Sequence, residues 1–182
     1  MTAHRPEYTG RSAGVRVLRD WERHLVPEAG RWPNQTVLEI GVGEGRSAAW
    51  FLEHVLPLAD ARYIGIDPWG DSRRWKRAED RCRRNLAPHR EKVRLYKGRA
   101  EDVLPVVHRT VHLCYVDAAK DTISVAFYSA LVWPKVAVGG LVIWNEYRHT
   151  QHNTVQRAVD KFLTDHPHDV VWAHSQLCVR IR

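Results

Sequence analysis

The stretch TVLEIGVGEGRS, which spans 36–47, joins a β-rich apolar run to the start of an amphipathic segment. Its three glycines, Gly41, Gly43 and Gly45, allow backbone torsions that other residues avoid and let the chain pass close to a ligand. From Ala48 onwards, apolar residues recur with the spacing of a half-buried helix. The stretch therefore predicts a strand, a glycine turn and a helix, an order in which many α/β proteins bind ligands.

Two classes of ligand do not fit this turn. A dinucleotide fingerprint requires a third glycine where Arg46 stands, and a Walker loop requires a Gly-Lys-Ser or Gly-Lys-Thr ending that the turn lacks. Asp67 follows the next apolar run, Tyr63–Ile66. A carboxylate at the end of that strand can accept hydrogen bonds from the two hydroxyls of a ribose. The pattern therefore favours a nucleoside-containing ligand other than a dinucleotide or a nucleoside triphosphate.

Strand-like and helical segments alternate through most of the chain. Three further apolar runs between helical segments lie at 93–96, 111–116 and 140–144. This alternation predicts an α/β fold, a doubly wound and mostly parallel sheet of about seven strands with helices on both faces. The last two strands have no helix between them, so one of them must run antiparallel. We expect one domain over 1–182, with a helical extension over 1–30 and the core over 31–182.

The composition favours a soluble, cytoplasmic protein. The 182 residues are 44% hydrophobic, and 28 Lys and Arg outnumber 21 Asp and Glu to give a formal charge of +7. That surplus permits an anionic partner without identifying one. The three scattered cysteines match neither a disulfide framework nor a zinc motif. The longest apolar run, Val136–Trp144, is too short to cross a membrane, and residues 1–10 lack the apolar stretch of a signal peptide.

Two later segments complete a known pattern. Asp117-Ala118-Ala119-Lys120 follows the fourth predicted strand, and Gly139-Gly140-Leu141-Val142-Ile143 forms the fifth. Together with Glu39–Gly45 and Asp67, these segments make residues 30–182 resemble the class I S-adenosylmethionine-dependent methyltransferases. Within that class the chain is similar to the small-molecule O-methyltransferases of the catechol and caffeoyl-CoA type. The resemblance implies a Rossmann-like sheet with an antiparallel last strand, and S-adenosylmethionine as the cofactor.

The resemblance assigns the cofactor site position by position. It implies that Glu39 orders the glycine loop or meets the amino group of the methionine moiety, and that Ser47 binds the carboxylate. Asp67 would hold the ribose, with Trp69 beside the adenine. The segment after the third strand would line the adenine edge. The complete set of implied cofactor residues is Glu39, Gly41, Gly43, Gly45, Ser47, Asp67, Trp69, Arg99, Ala100, Glu101 and Asp117.

The resemblance also implies a catalytic side. In the catechol-type enzymes a D-x-x-K segment supplies a metal-binding Asp and a Lys that deprotonates the acceptor hydroxyl, and Asp117 and Lys120 occupy these places. Asn145 and Glu146 stand where that family carries Asp-Asp or Asp-Asn as further ligands. Two alternatives follow. Either Asp117, Asn145 and Glu146 bind Mg²⁺, or the reaction is metal-free with Lys120 or His149 as the base.

The methyl acceptor is less sharply defined by the sequence. Seven basic residues crowd the second helix of the core: Arg73, Arg74, Lys76, Arg77, Arg81, Arg83 and Arg84. They suit an acidic small molecule or a nucleic acid. We expect O-methylation of a small molecule, because base-methylating enzymes carry an Asn/Asp-Pro-Pro-aromatic segment in place of Asp117–Lys120. Ribose methylation of RNA is the alternative, and a non-catalytic cofactor-binding module is a third possibility. Because so short a chain has little surface beyond the cofactor core, we also expect a homodimer.

Overall fold

The computed structural model describes residues 6–9, 15–148 and 153–182. The strands are β1 (Thr36–Ile40), β2 (Arg62–Asp67), β3 (Val93–Lys97), β4 (Val111–Val116), β5 (Val136–Trp144), β6 (His168–Ala173) and β7 (Leu177–Ile181). The α-helices in the described ranges are α1 (Val15–His24), α2 (Arg46–His54), α3 (Arg73–Leu86), α4 (Ala100–Val103), α5 (Thr122–Val132) and α6 (Thr154–Leu163). Short 3₁₀ turns span Val26–Glu28, Ala87–His89, Leu104–Val106 and Trp133–Lys135.

The seven strands form one sheet in the order β3-β2-β1-β4-β5-β7-β6. All neighbouring pairs from β3 to β5 are parallel, whereas β7 runs antiparallel to both β5 and β6. The predicted doubly wound sheet and its antiparallel last strand are confirmed. The turn between β6 and β7 is too short for a crossover helix, which forces the antiparallel pairing. Strand order reverses between β1 and β4, and ligands bind at such a switch point in open α/β sheets.

Helices cover both faces of the sheet, so the central strands are buried on both sides. Along β1, Leu38 and Ile40 contribute to the core beneath α5 and α6, while Val37 contributes to the core beneath α1, α2 and α3. Because side chains alternate along a strand, Glu39 points to the same face as Val37. A carboxyl group is thereby placed inside an otherwise apolar layer, and it requires hydrogen-bond partners there.

Helix α3 shows one difference from the sequence prediction. Ser72 caps it, because the Ser72 hydroxyl accepts a hydrogen bond from the Trp75 backbone N–H at 3.4 Å. The helical spacing of four residues predicts that they share the inward face: Trp75, Ala78, Cys82 and Leu86. Three of them are buried, but Trp75 is 43% exposed. Trp75 lies in the first turn of α3, where its side chain borders a cavity instead of the core.

The structure shows the state of the cysteines and the character of the helices. The three cysteines, Cys82, Cys114 and Cys178, are free and buried. Among the described residues, no helix combines the length and the apolar character needed to cross a membrane.

Gly41 connects the ends of three strands. Its N–H donates to the Ile66 carbonyl oxygen at 2.9 Å, which ties the glycine loop to β2. Its φ is +92°, and a Cβ at this position would lie 2.0 Å from the carbonyl oxygen of Asp117, just beyond β4. Only a residue without a side chain allows the end of β1 to approach β4 this closely.

This contact predicts unequal effects for two glycine substitutions. Gly41→Ala should lower the free energy of unfolding by at least about 3 kcal/mol, because the methyl group would force β1 and β4 apart. Gly43 is a matched control: its φ is also positive, +56°, but a Cβ there would meet nothing within 4 Å. Gly43→Ala should cost only about 1–2 kcal/mol of backbone strain. Urea unfolding of the two variants measures the difference, and equal losses would contradict the packing argument.

Candidate active site

A cavity of about 940 Å³ opens at the carboxyl ends of β1, β2, β4 and β5. Its position is the switch point of the sheet, where the strand order reverses. The glycine loop and Asp67 form one end, and Asp117, Asn145 and Glu146 form the other. Helices α1 and α2 contribute apolar and aromatic walls, which include Val17, Leu18, Trp21 and Trp50.

Asp67 holds the glycine loop from below. Its carboxylate accepts hydrogen bonds from the Gly43 N–H at 2.9 Å and from the Trp69 N–H at 2.8 Å. Asp67 is only 7% exposed, yet it forms part of the cavity wall. Each carboxylate oxygen retains a lone pair after these bonds, so Asp67 can accept further hydrogen bonds from a ligand hydroxyl.

Trp69 supports the loop from inside the protein. It is fully buried, and its indole N–H donates to the Gly43 carbonyl oxygen at 2.8 Å. The structure therefore places Trp69 behind the glycine loop and outside the cavity wall, in contrast to the predicted position beside an adenine. Helix α3, which follows Trp69 in the chain, contributes Trp75 to the cavity wall.

Glu39 is enclosed beneath the glycine loop. Its carboxyl oxygens accept hydrogen bonds from the Ser47 hydroxyl and, at 2.5 Å, from the Tyr63 hydroxyl. Complete burial raises the pKa of Glu39 to about 8, an effect that outweighs these two hydrogen bonds. Of the two predicted roles for Glu39, ordering the loop agrees with these contacts. Ser47 does border the cavity, but its hydroxyl bonds to Glu39.

An N-terminal segment that includes Pro6, Tyr8 and Thr9 lines the cavity near the glycine loop, and no sequence pattern indicates it. The Thr9 N–H and hydroxyl donate to the two carboxylate oxygens of Glu44 at 2.7 and 2.5 Å. Arg81 forms an ion pair with the same carboxylate at 2.7 Å, and the Tyr8 ring lies under the guanidinium group of Arg46 at 4.3 Å. Long-range contacts of this kind follow no sequence periodicity, so pattern analysis does not detect them.

The predicted adenine-edge segment lies apart from this cavity. Ala100 is buried in the core at 3% exposure, and Arg99 forms an ion pair with Glu101 at 2.5 Å. None of these three residues borders the cavity that the described residues form.

Asp117 is the centre of a polar cluster at the other end. Its Oδ1 accepts hydrogen bonds from Lys120 Nζ at 2.6 Å and from Asn145 Nδ2 at 2.9 Å. Its Oδ2 lies 3.5 Å from the Tyr115 hydroxyl. Glu146 Oε2 is 3.9 Å from Lys120 Nζ. The structure thus brings the predicted Asp117, Lys120, Asn145 and Glu146 together, while His149 lies outside the described residues.

Two residues that sequence reasoning missed extend this cluster into the protein. Gln176, in the turn between β6 and β7, donates from Nε2 to Asn145 Oδ1 at 2.9 Å and to the Tyr115 hydroxyl at 3.1 Å. Gln176 Oε1 in turn accepts a hydrogen bond from the indole N–H of Trp21 in α1 at 2.8 Å. Trp21 and Gln176 are each 2% exposed. Both lie far from the recognised motifs in the sequence, which explains why no pattern indicated them.

The donor set does not fit a Mg²⁺ ion shared by Asp117, Asn145 and Glu146. Magnesium requires oxygen ligands in near-octahedral geometry. Asn145 presents its nitrogen to Asp117, and its oxygen is occupied by Gln176. The Lys120 ammonium donates to Asp117 Oδ1, the same oxygen that accepts from Asn145. Among the described residues, no group of three or more His, Cys, Asp or Glu side chains is arranged to hold a metal ion.

The raised pKa of Glu39 predicts a pH-dependent stability. The folded protein holds the Glu39 proton up to about pH 8, whereas an unfolded chain releases it near pH 4.5. The folded state therefore binds more protons within that window, and Glu39 makes the free energy of unfolding fall with rising pH, by about 1.4 kcal/mol per pH unit. Glu39→Gln should remove this slope. The free energy of unfolding of the variant, relative to that of the wild type, should therefore rise steadily from pH 5 to pH 8. Urea unfolding of the ligand-free proteins at several pH values measures it, and parallel curves would contradict it.

Comparisons with known proteins identify the family of the domain that carries this site. A family model described as "Methyltransferase domain" matches residues 38–147, the span from β1 to the end of the Asp117 cluster. An O-methyltransferase from Bacillus cereus, solved with S-adenosylhomocysteine, shares 16% identity and a TM-score of 0.69, with 96% of this chain and 84% of that chain covered. The O-methyltransferase TomG from Streptomyces achromogenes, solved with S-adenosylmethionine, shares 18% identity and a TM-score of 0.67, with 94% of this chain and 81% of that chain covered.

A protein from Clostridium thermocellum assigned as an rRNA methylase has 14% identity and a TM-score of 0.68, with 91% of this chain and 97% of that chain covered. No curated protein matches the chain in sequence. At these identities the solved structures establish the shared fold, while the family model spans most of the sheet and both ends of the cavity. The glycine loop, Asp67 and the Asp117 cluster thus lie in a methyltransferase domain, and the chain belongs to the class I S-adenosylmethionine-dependent methyltransferases.

Proposed function

We propose that this methyltransferase transfers a methyl group to a hydroxyl oxygen of a small molecule, without a metal ion. The observation that carries the proposal is the Asp117 cluster, in which a lysine ammonium and an asparagine N–H both bond to one oxygen of a carboxylate in the cavity wall. That arrangement supplies a polarised acceptor for a proton at the end of the cavity opposite Asp67.

The cofactor end of the cavity supports binding of S-adenosylmethionine. Bound there, the cofactor supplies a methyl group on a positively charged sulfur. Asp67 has the capacity to accept hydrogen bonds from ribose hydroxyls, and Gly43 leaves open space beside it. The exposed Trp75 offers an aromatic surface, and aromatic rings attract sulfonium-type cations and stack with purines. Helix α2 begins at the glycine loop, and the partial positive charge at its N-terminus favours a carboxylate near Ser47.

Asp117 is the group we assign to proton transfer. Its Oδ1 is held by Lys120 and Asn145, while its Oδ2 has the Tyr115 hydroxyl at 3.5 Å as its one side-chain partner among the described residues. An acceptor hydroxyl bound beside Oδ2 would pass its proton to that oxygen while its own oxygen forms a bond to the methyl carbon; the bond between that carbon and the sulfonium sulfur would break, and the sulfur would leave as a neutral thioether. Lys120 donates a hydrogen bond to Asp117 as an ammonium, so in this proposal it stabilises the carboxylate. The family resemblance implied a different role for Lys120, that of the base.

The apolar part of the cavity wall favours a small acceptor over a polymer. Helix α1 contributes Val17, Leu18 and Trp21 to the wall, and α2 contributes Trp50, so the cavity combines an apolar and aromatic side with polar groups such as Asp117. Such a site suits a compact hydroxylated compound, because apolar lining with a few polar groups is typical of small-molecule pockets.

RNA ribose methylation remains the second candidate, supported by the exposed basic residues of α3. Part of that basic surface is neutralised internally, since Arg81 pairs with Glu44 at 2.7 Å and Arg83 pairs with Glu79 at 2.9 Å. Arg73 and Arg77 are exposed and could face phosphates. RNA binding through them would weaken steeply as the salt concentration rises.

The proposal predicts the outcome of a labelled-methyl transfer assay. Label from S-adenosylmethionine should appear in hydroxylated small molecules, EDTA should leave the rate unchanged, and electron paramagnetic resonance should detect no bound Mn²⁺. Asn145→Asp is the control for the metal measurement, because it places a second carboxylate beside Asp117 and should create Mn²⁺ binding. Transfer to RNA alone would favour the second candidate, and loss of activity in EDTA would contradict the metal-free reaction.

The ribose role of Asp67 predicts a selective loss of cofactor affinity. Asp67→Ala should raise the Kd for S-adenosylmethionine at least about 10-fold, because it removes the hydroxyl acceptor and the bonds that hold the loop. Asp60→Ala is the matched control: Asp60 also accepts a backbone N–H, that of Asn34 at 2.9 Å, but outside the cavity. Calorimetry measures both variants. Equal affinities in the two would remove the ribose role.

A further inference from the structure

Gln176 is a buried polar residue of the cavity wall that the proposed mechanism leaves without a role. It is 2% exposed, and both ends of its amide are bonded. Its oxygen accepts from Trp21, and its nitrogen donates to Asn145 and to the Tyr115 hydroxyl. Asn145 and Tyr115 each donate in turn to the Asp117 carboxylate, Asn145 to Oδ1 and Tyr115 to Oδ2. A chain of hydrogen bonds therefore runs from α1 through the β6–β7 turn to the reacting end of the cavity.

The direction of this chain is determined at its inner end. An indole N–H donates a hydrogen bond and cannot accept one, so the Gln176 oxygen must face Trp21. The Gln176 nitrogen then faces outward and requires acceptors, which are the Asn145 oxygen and the Tyr115 hydroxyl oxygen. With its oxygen engaged, Asn145 has to turn its nitrogen towards Asp117. One donor that cannot be reversed thus orients both amides.

The opposite orientation would disrupt the cluster. If Asn145 were turned over, its carbonyl oxygen would lie about 3 Å from Asp117 Oδ1, with no hydrogen between two electronegative atoms. Asp117 would lose one of the two donors to Oδ1, and its carboxylate would be held by Lys120 and by the longer contact with the Tyr115 hydroxyl at 3.5 Å. Lys120 is a flexible side chain with 34% exposure, which makes it a looser support than the shorter Asn145 side chain that Gln176 fixes.

We propose that Gln176 is a positioning residue for the transfer reaction, whose amide, oriented by the Trp21 indole, turns the Asn145 N–H towards Asp117 and so holds the carboxylate in its reactive orientation. The inference rests on the proposed function of the Asp117 cluster. It assigns a specific part of the reaction to the β6–β7 turn and to α1, neither of which carries a recognised motif.

The test replaces the amide by a group of similar size that can neither donate nor accept well. Gln176→Met should lower kcat about 10-fold, a size typical of coupling within hydrogen-bond networks, with the Kd for S-adenosylmethionine unchanged. Gln35→Met is the matched control, since Gln35 is also a buried, doubly bonded glutamine, 1% exposed, with partners at Gly30 and Glu28 away from the cavity. It should lose stability to a similar degree and keep its kcat per folded molecule.

A second variant keeps the test valid if Gln176→Met folds poorly. Trp21→Phe retains an aromatic ring against Phe51 and Tyr115, although a smaller one, and removes the N–H that orients Gln176, so kcat should fall in the same direction with normal cofactor affinity. A double-mutant cycle then identifies the route. If Gln176 acts through Asn145, Gln176→Met should have little further effect on kcat in an Asn145→Ala background.

The outcomes separate the two hypotheses. A wild-type protein that methylates no small molecule would remove the proposed function. An active wild type in which Gln176→Met and Gln35→Met have the same kcat, or in which the Gln176 and Asn145 effects simply add, would overturn the positioning role and leave the proposed function standing.

Discussion

The site depends on the close approach of Gly41 to the main chain of Asp117. A Cβ at Gly41 would lie 2.0 Å from the Asp117 carbonyl oxygen, so the absence of a side chain is what allows the loop after β1 and the loop after β4 to meet. The first loop borders the end of the cavity where we propose that the cofactor binds, and the second carries Asp117, which we propose as the proton acceptor. Their relative position is therefore set by backbone contact within the sheet and needs no flexible side chain. In-line transfer demands such a fixed separation, because small displacements of reacting groups reduce rates strongly.

Much of the fold followed from local patterns. Alternation of apolar runs and helical spacing indicated the parallel strands, and the missing helix before β7 indicated its reversed direction, because both are properties of short segments. The glycine loop, Asp67 and the Asp117–Lys120 segment were found because each follows a strand end, and strand ends meet at one edge of a parallel sheet.

Other parts of the site could not be predicted in this way. Trp69 and Trp75 are both tryptophans near the same strand end, and only the packed structure shows that Trp69 is buried while Trp75 is exposed to the cavity. The same limit applies to Thr9 with Glu44 and to Trp21 with Gln176, since no local rule relates such distant positions. The Asn145 side chain shows the limit most clearly. Its chemistry suited a metal ligand, and its orientation, imposed by Gln176, turned the nitrogen towards Asp117.

The contact between α1 and the β6–β7 turn also has a consequence for how the protein folds. Trp21 and Gln176 are 155 positions apart, so their hydrogen bond closes a long loop and depends on the terminal hairpin being in place. The glycine loop and Asp67 contact β1, β2 and the end of β4, and none of these contacts involves that hairpin. Local opening of the terminal hairpin would thus leave the cofactor end intact while freeing the Asn145 amide to rotate. The terminal hairpin is therefore the part of the fold on which the proposed ordering of the Asp117 carboxylate depends.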